Sequence, residues 1–399
     1  SGHPSPQWVI QSWQENPRRE ALDALAPGTL VVLDLFSDGS KKWGGSYAQS
    51  GGSKHEFVYC MLHNFGGRTG LHGRLQRTIA DFYAAKEQHP LTMLGVGATM
   101  EGIETNPVLY EALYELPWRT AELSAADWIA GYAKVRYGKQ SDAAAQAWGL
   151  LLRSVYDCKT AQQGASESAL CARPSLPVRS VSTWSTADIY WDVNDVHNAA
   201  ALLLGESSRL SGANYEYDVV DVVRQVLSDY GHGLLTRITA AHKAGEAALR
   251  DTLAGRFLDI ILQQDRLMNT MPDFMVGRWI KDARALGSTG EEKDLYEKNA
   301  RLLITTWGGE SQANAGGLHD YSNRQWGGLL KDFYYPRWTL FFERLKEGKE
   351  TPSPKEFFDM EYAWATTPTT TSPYPHTAQG NPIAVAKEIF ERYCKMIAS

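Results

Sequence analysis

Continuous apolar runs near the amino terminus predict a parallel β-sheet. Three runs of apolar and β-branched residues are bounded by turn-forming residues, and a shorter run precedes them: Trp8–Gln11, Thr29–Phe36, Phe57–Leu62 and Leu91–Val96. Unbroken apolar runs of this length are typical of strands that are buried on both faces. Helical spacing at Pro17–Leu25 and Leu71–Glu87 places helical crossovers between strands, so the pattern predicts parallel pairing.

Beyond residue 120 the apolar positions follow a helical period, and no segment has a pattern that clearly predicts a β-strand. The predicted helices are Asp127–Tyr137, Ala143–Tyr156, Val193–Leu204, Tyr215–Tyr230, Leu249–Met268, Phe274–Leu286, Glu291–Thr306, Tyr321–Leu345, Pro354–Ala365 and Ile383–Ile397. The predicted fold class is therefore α/β plus all-α, with residues 1–120 and 121–399 as the two domains. The few strands allow two interpretations of the first domain. It is either a small open sheet or the second half of a (β/α)8 TIM-like barrel, because a closed barrel needs eight strands.

Charge and composition exclude several classes of function. The 399 residues carry a formal net charge of −6 and contain no block of Lys or Arg, which argues against a nucleic-acid partner. No apolar run reaches the ~18–20 residues that a membrane span requires. The chain starts at Ser1 without a Met and without the basic and apolar regions of a signal peptide, which indicates a mature or truncated product.

The cysteines and aromatic residues limit the kinds of site that the protein can form. None of the four Cys has the spacing of a zinc site, and neither a metal nor a cofactor is expected. Cys158 and Cys171 flank a polar loop and could form a local disulfide in an oxidising compartment. Most of the 13 Trp and 19 Tyr are expected in the core, but a few could line a sugar site. The C–H faces of a pyranose are apolar and pack flat on aromatic rings.

Glu101 is the strongest candidate for a catalytic residue. It follows the last predicted strand in the run GVGATMEGIETN, which extends from Gly95 to Asn106. In parallel α/β folds the functional site lies at the carboxyl ends of the strands, and neighbouring glycines let a ligand approach the backbone. The alternative is a surface carboxylate that favours the amino end of the next helix, and Glu104 fits that alternative better.

Two other segments carry polar or aromatic side chains next to glycines. His63 and Asn64 follow an apolar strand and precede a Gly-Gly pair, so they could hydrogen-bond sugar hydroxyls or have a structural role in the loop. Trp307 and Tyr321 bracket a Gly-rich connection between two predicted helices. That connection is either a flexible loop or a functional one on a rigid scaffold.

Several long motifs resemble those of one enzyme family. They are FVYCMLHNFGG (57–67), GATMEGIETN around Glu101, LLLRSVYDC (150–158) and TWGG…LHDYSNRQWGGLLKDFYYPRW (306–338). In this order they are similar to the α-N-acetylglucosaminidases of glycoside hydrolase family 89, over almost the whole chain. The resemblance implies a retaining enzyme that removes terminal α-linked N-acetylglucosamine. It also implies a (β/α)8 barrel followed by an all-helical domain, which favours the half-barrel interpretation.

The resemblance assigns roles to individual residues. The Glu of the EGI motif is the family's nucleophile, which places that role on Glu101. Pocket residues of the family correspond to Trp8, Trp307, Leu318 and Tyr321. The roles of these residues are implied by the resemblance and not by composition or spacing.

One element of the family's catalytic machinery lies outside this sequence. The resemblance places the general acid/base Glu on an earlier barrel strand. Either this chain is a fragment that lacks the amino-terminal part of the same enzyme, or that missing part is a separate partner chain. The isolated chain is therefore expected to have little activity, because Glu104 is a poor substitute. The other hypotheses are a non-catalytic carbohydrate-binding or scaffold protein that keeps the pocket, and a plain helical interaction domain. An exported enzyme is expected, in the periplasm, outside the cell or in a lysosome.

Overall fold

Four parallel strands form one sheet near the amino terminus. The computed structural model describes residues 6–43, 55–102, 104–368 and 374–397. The strands β1 to β4 are hydrogen-bonded to one another in chain order, and they are Trp8–Ser12, Leu30–Asp34, Glu56–His63 and Met93–Met100. All three pairings are parallel, as the sequence predicts. All four strands therefore end at the same edge of the sheet.

Helices follow β1, β3 and β4 and cover the sheet. Helix α1 (Arg19–Ala24) follows β1, α2 (Leu75–Gln88) lies between β3 and β4, and α3 (Pro107–Glu115) follows β4. Alternate residues of the two central strands share one apolar core with α2, and these are Leu30, Val32, Phe57, Tyr59, Met61, Leu75, Ile79 and Phe82. Burying one large apolar side chain contributes roughly 1.5–3 kcal/mol. This layer therefore determines the register of the sheet and the level at which each strand ends.

The rest of the described chain is helical. The helices are α4 (Ala125–Tyr137), α5 (Asp142–Arg153), α6 (Val193–Gly205), α7 (Ala213–Lys243), α8 (Ala247–Met268), α9 (Val276–Ala285), α10 (Gly290–Leu303), α11 (Tyr335–Glu347), α12 (Pro354–Thr366) and α13 (Pro382–Ile397). In the described residues after β4, no further strand is found. A search of the described helices for one long and apolar enough to cross a membrane found none.

Helix α7 shows why a glycine need not end a helix. The apolar period defines a helix at Tyr215–Tyr230, and the glycines at 231 and 233 leave its continuation open. In the structure the helix continues without a break to Lys243. A Cβ atom at Gly231 would lie 2.8 Å from a methyl carbon of Leu170. Close packing against the neighbouring loop, and not a helix end, accounts for this glycine.

The helix predicted at Tyr321–Leu345 is wrong over its first turns. Residues 322–328 have no α-helix, and α11 begins only after a π-helical turn at Leu330–Tyr334. Gln325 donates from its backbone N–H to Thr69 Oγ1 at 2.8 Å and from its side-chain amide to the Thr69 carbonyl at 3.0 Å. These bonds hold the segment against the loop that follows β3. Tertiary contacts therefore override the local helical preference.

Cys158 and Cys171 are both buried free thiols, so the local disulfide considered above is not formed. The Cys158 sulfur lies 3.4 Å from Thr160 Oγ1. Cys171 belongs instead to the main apolar core. The two thiols thus pack into different environments, although they flank the same loop in the sequence.

The buried carboxyl group of Asp229 makes the contribution of α7 to stability depend on pH. It accepts hydrogen bonds from Gln225 Nε2 at 2.9 Å and from Trp191 Nε1 at 3.1 Å. Burial raises the pKa of Asp229 to about 7, against a value of about 3.9 in an unfolded chain. Because the folded-state pKa is the higher one, this stabilisation is complete below about pH 4 and is lost as the pH rises through about 7.

We therefore expect Asp229→Asn to flatten the pH profile of the free energy of unfolding. Between about pH 5 and pH 8 the unmodified protein should lose on the order of 2–3 kcal/mol more than the variant does. Denaturant unfolding of both proteins at the two pH values measures this difference. Other buried carboxyl groups titrate equally in both proteins and cancel. Equal losses would show that Asp229 does not titrate in this range.

Candidate active site

Glu101 is the first residue after β4, at the edge where all four strands end. Its Oε2 atom accepts a hydrogen bond from the backbone N–H of Gly66 and another from the hydroxyl of Tyr321, each at 2.8 Å. Gly66 lies in the loop after β3, and Tyr321 comes from the helical part of the chain. Two donors on one oxygen orient the carboxylate and leave Oε1 without a hydrogen bond from the described residues.

The turn after β3 brings the Gly66 N–H group to Glu101. Asn64, Gly66 and Gly67 all have left-handed backbone conformations, with φ of 57°, 64° and 65°. A Cβ atom on Gly66 would lie 2.2 Å from the carbonyl oxygen of Tyr321, so only glycine fits at this position. Arg324 donates a hydrogen bond to the Gly66 carbonyl and thereby fixes the turn from the other side.

A cavity of about 390 Å³ lies beside the Glu101 carboxylate. Residues of both parts of the chain line it, namely Gly66, Glu101, Gly102, Glu104, Trp279, Leu303, Ile304, Trp307, Tyr321, Ser322, Arg324 and Trp326. The Trp307 ring meets the Tyr321 ring edge-on, with centroids 5.1 Å apart. A volume of this size with aromatic walls and a few charged groups is typical of a small-ligand site.

Strained backbone surrounds this cavity. The non-glycine residues with positive φ in the described chain are Asn64, Asn106, Trp307 and Asp320, and all of them lie in the loops next to Glu101 or Tyr321. The left-handed conformation is uncommon for a residue as bulky as Trp. Short backbone hydrogen bonds hold Trp307 and Asp320 in this conformation. The Trp307 N–H donates to the Leu302 carbonyl and the Asp320 N–H donates to the Thr305 carbonyl, each at 2.7 Å. Such strain is concentrated at functional sites.

A buried ion pair holds Tyr321 through its neighbour Asp320. The Arg337 guanidinium donates to both carboxylate oxygens of Asp320, at 2.9 and 3.0 Å, and also contacts Glu361 at 2.8 Å. Burial alone would raise the pKa of Asp320, but Arg337 and His319 outweigh burial and hold it at about 2. Asp320 therefore stays ionised at any ordinary pH, and the loop that carries Tyr321 stays anchored.

His63 and Asn64 lie behind the cavity and not in its wall. The buried His63 ring stacks on His72 at 5.6 Å, and burial together with Arg74 lowers the pKa of His63 to about 3. Asn64 is also buried, and its side-chain amide donates to Thr105 Oγ1. Both residues support the turn that presents Gly66. The structure does not bring them to the cavity as the sugar contacts that the sequence suggested.

Trp8 and Leu318 also lie outside the cavity wall. Trp8 is the first residue of β1 and pairs with Leu30, the first residue of β2, so it lies at the edge of the sheet opposite to Glu101. This position disagrees with the pocket role that the family resemblance implied for Trp8. Leu318 is half-buried, and its carbonyl accepts the Tyr321 N–H at 3.2 Å, so it supports the loop from outside the cavity.

Sequence reasoning missed Trp279 and Arg324 in the cavity wall, and it also passed over Trp13, which is not part of that wall. Trp13 follows β1 at the same edge as Glu101, and its ring lies 5.7 Å from the ring of Phe65. The strand-end rule that selected Glu101 would also have selected Trp13. Burial lowers the pKa of Arg324 to about 10, with nearby carboxylates opposing the shift. No sequence signal singles out Arg324 or Trp279, because only the packing of the helical part brings them to the cavity.

Sequence profiles of one family match both parts of the chain. The profile described as the alpha-N-acetylglucosaminidase (NAGLU) tim-barrel domain matches residues 1–120, and the one described as the NAGLU C-terminal domain matches residues 128–392. The chain belongs to the alpha-N-acetylglucosaminidase family. Its predicted fold class, part of a TIM-like barrel followed by a large all-helical domain, is thereby confirmed.

Relatives in the alpha-N-acetylglucosaminidase family extend beyond the matched region. The Homo sapiens alpha-N-acetylglucosaminidase is 32% identical over 406 residues, which cover 97% of this chain and 52% of that protein. A family 89 glycoside hydrolase from Clostridium perfringens in complex with PUGNAc has a TM-score of 0.91 and 34% identity. The match covers 97% of this chain and 44% of the hydrolase chain. A double Glu-to-Gln variant of CpGH89 from Clostridium perfringens, in complex with its substrate GlcNAc-alpha-1,4-galactose, has a TM-score of 0.91 and 33% identity, covering 98% of this chain and 45% of that one. The chain thus spans about half the length of these relatives.

Proposed function

We propose that this chain supplies the nucleophile and the sugar pocket of a retaining exo-glycosidase that hydrolyses terminal α-linked N-acetylglucosamine. Residues 1–120 contribute the second half of the catalytic barrel, and residues 121–399 contribute the wall that encloses the pocket. The observation that carries this proposal is the Glu101 carboxylate, held by Gly66 and Tyr321 beside an aromatic-lined cavity. Membership of the alpha-N-acetylglucosaminidase family supports it.

In the first step, Oε1 of Glu101 attacks the anomeric carbon of the bound sugar. A bond forms between Oε1 and C1, the bond from C1 to the glycosidic oxygen breaks, and a general acid protonates that oxygen. The two donors on Oε2 hold the carboxylate in line for the attack. Burial, and secondarily Glu101 itself, raises the pKa of the Tyr321 hydroxyl, so this group keeps its proton and remains a donor.

In the second step, the same acid/base group takes a proton from water, and the water oxygen attacks C1. The bond between C1 and Oε1 breaks, so two displacements return the sugar with its original anomeric configuration. A retaining pair has its carboxyl groups about 5–5.5 Å apart. We place the second carboxyl in the part of the enzyme that precedes this sequence, and that part is the partner of this chain.

The cavity suits a single terminal sugar. The partly exposed indoles of Trp279 and Trp307 offer apolar surfaces for the C–H faces of a pyranose. The natural ligand is therefore the non-reducing end of a glycan that carries α-linked N-acetylglucosamine. Degradation of such glycans places the enzyme in the periplasm, outside the cell or in a lysosome.

The proposal is tested with the full-length gene product and an aryl α-N-acetylglucosaminide, with the β-anomer as the matched control substrate. We expect hydrolysis of the α-anomer alone, and proton NMR at early times should show α-N-acetylglucosamine as the first product. The isolated 399-residue chain should show little or no turnover. Initial formation of the β-product would contradict the retaining mechanism. Sugar binding by the full-length protein without turnover would instead favour a non-catalytic carbohydrate-binding protein.

A further inference from the structure

We propose that Arg68 is a positioning residue for the nucleophile, and that it acts through the peptide bond between Phe65 and Gly66. The inference rests on the proposed function, because it concerns the carboxylate that attacks the sugar. Arg68 follows the Gly-Gly pair in the loop after β3, and it is 1% exposed. Its side chain donates to the Phe65 carbonyl and to Glu167.

The two ends of one peptide group join Arg68 to Glu101. The Nε–H group of Arg68 donates to the Phe65 carbonyl, and the backbone N–H of Gly66 donates to Glu101 Oε2, each at 2.8 Å. That carbonyl and that N–H belong to the same planar peptide unit. A positive charge at the carbonyl oxygen polarises the unit, so its N–H group becomes a stronger donor. Arg68 thus fixes the plane of this peptide and strengthens the bond to the nucleophile.

A buried carboxylate holds the Arg68 guanidinium in place. Glu167 pairs with Arg68 at 3.1 Å, and both side chains are fully buried. Glu167 also accepts the backbone N–H groups of Val181 and Ser182, at 2.6 and 2.9 Å, and the side-chain amide of Asn323 at 3.0 Å. The helical part of the chain therefore fixes this carboxylate, which fixes the guanidinium in turn. Because an Arg guanidinium stays charged at any ordinary pH, the polarisation of the peptide is permanent.

Arg324 acts on a different peptide of the same turn. It donates to the Gly66 carbonyl, which shares its peptide unit with the Gly67 N–H. The Gly67 N–H donates to the Asn64 carbonyl at 2.8 Å, inside the turn. Of the two arginines, Arg68 is therefore the one whose charge acts along the peptide that binds Glu101.

A stronger donor on Oε2 favours the second displacement. In the first step the negative charge of Glu101 disappears as Oε1 bonds to C1, so this donor does not assist bond formation. In the second step water attacks C1, the bond between C1 and Oε1 breaks, and its electron pair returns to the carboxylate. The Gly66 N–H stabilises the charge that develops there. Loss of the Arg68 contact should therefore slow the release of the sugar from Glu101 and leave its attachment nearly unchanged.

The test uses the full-length gene product and a dinitrophenyl α-N-acetylglucosaminide, whose leaving group needs no proton, so that the second step limits kcat. Arg68→Lys keeps a cation beside Glu167 but lacks the Nε–H group that donates to Phe65. We expect kcat to fall about five- to tenfold and KM to fall by nearly the same factor, so that kcat/KM changes less than about twofold. Mass spectrometry of the quenched reaction should show more glycosyl-enzyme than in the unmodified protein.

Two further variants complete the test. Arg68→Met/Glu167→Gln removes the same donor without leaving a buried charge unpaired, and it should show the same split between kcat and KM even if Arg68→Lys does not fold. Arg74→Lys is the matched control. Arg74 is also buried and pairs with the buried Asp38 at 3.4 Å, but its Nε–H group donates to the Thr160 carbonyl at 2.8 Å. Its loss should lower stability and leave kcat and KM unchanged.

The pattern of the losses decides the role of Arg68. A fall in kcat/KM as large as the fall in kcat, without accumulation of glycosyl-enzyme, would mean that Arg68 supports only the fold, and this overturns the inference. An unchanged kcat overturns it as well, and so does the same split in Arg74→Lys. If the unmodified enzyme does not hydrolyse the substrate, the proposed function itself fails, and not the role of Arg68 alone.

Discussion

Replacing Glu101 with Gln in the full-length gene product is expected to lower kcat for an aryl α-N-acetylglucosaminide by about 10³-fold or more, as removal of a nucleophile does in other enzymes that form a covalent intermediate. The neutral amide cannot displace the leaving group. It can still accept the hydrogen bonds from Gly66 and Tyr321, so the folded structure should be retained. Steady-state kinetics measure the loss, and a thermal unfolding scan should show an unchanged midpoint.

Glu104→Gln is the matched control, because Glu104 lines the same cavity three residues further along the chain. Its effect on kcat should be much smaller. Azide distinguishes a nucleophile from an acid/base residue. In Glu101→Ala, azide occupies the vacated space, attacks C1 from the side of the lost carboxylate and forms the β-glycosyl azide. Formation of the α-azide, or a loss in Glu101→Gln of less than tenfold, would remove the nucleophile role from Glu101.

The strand ends explain why Glu101 could be found from the sequence. Apolar runs locate β2 to β4, and in a parallel sheet all carboxyl ends lie at one edge, so a polar residue directly after a strand is placed without knowledge of the tertiary structure. The same rule explains the failure with His63 and Asn64. His63 is the last residue of β3 and Asn64 follows it at the correct edge, but both side chains are buried, and the left-handed turn presents a backbone N–H group instead.

Contacts between distant segments could not be predicted. The segment after Tyr321 has a helical period, yet Gln325 is bonded to Thr69, and those bonds exist only because the helical part packs on the sheet. Arg324 and Trp279 reach the cavity for the same reason. The family motifs assigned pocket roles to Trp307 and Tyr321. The apolar pattern alone predicts only that Trp307 lies at the start of a loop and that Tyr321 begins a helix. Trp8 shows the limit of a role assigned from motifs alone, because strand pairing places it at the edge of the sheet opposite to Glu101.

Arg337→Met is expected to lower the free energy of unfolding by about 3–5 kcal/mol at neutral pH, the usual cost of leaving a buried carboxylate without its partner. Arg337 and Asp320 are both fully buried, and Asp320 then loses both guanidinium contacts. Denaturant unfolding measures the change. Arg266→Ala is the control, because it breaks an exposed pair with Glu388 and should cost only about 0–1 kcal/mol.

The pH dependence of this loss identifies Asp320 as its source. In the unmodified protein the pKa of Asp320 is depressed to about 2, so its stabilisation is present above about pH 4 and is lost as the pH falls through 2. In Arg337→Met the largest depressing charge is gone and burial raises the pKa of Asp320, so the difference between the two proteins should already shrink as the pH falls towards 4 and should go on shrinking down to about pH 2. A difference that does not depend on pH would mean that lost packing, and not the ion pair, causes the destabilisation.

The double variant Asp320→Asn/Arg337→Met separates the charge from the packing. Asn accepts the left-handed backbone at φ 57°, and Glu361 keeps Arg173 as a partner at 2.7 Å, so the double variant leaves no buried carboxylate unpaired. It should therefore be at least about 1 kcal/mol more stable than Arg337→Met alone, since removing both members of a buried pair costs less than removing one. If the losses in free energy of unfolding caused by the two single substitutions add up in the double variant, the Asp320–Arg337 contact does not anchor the loop that carries Tyr321.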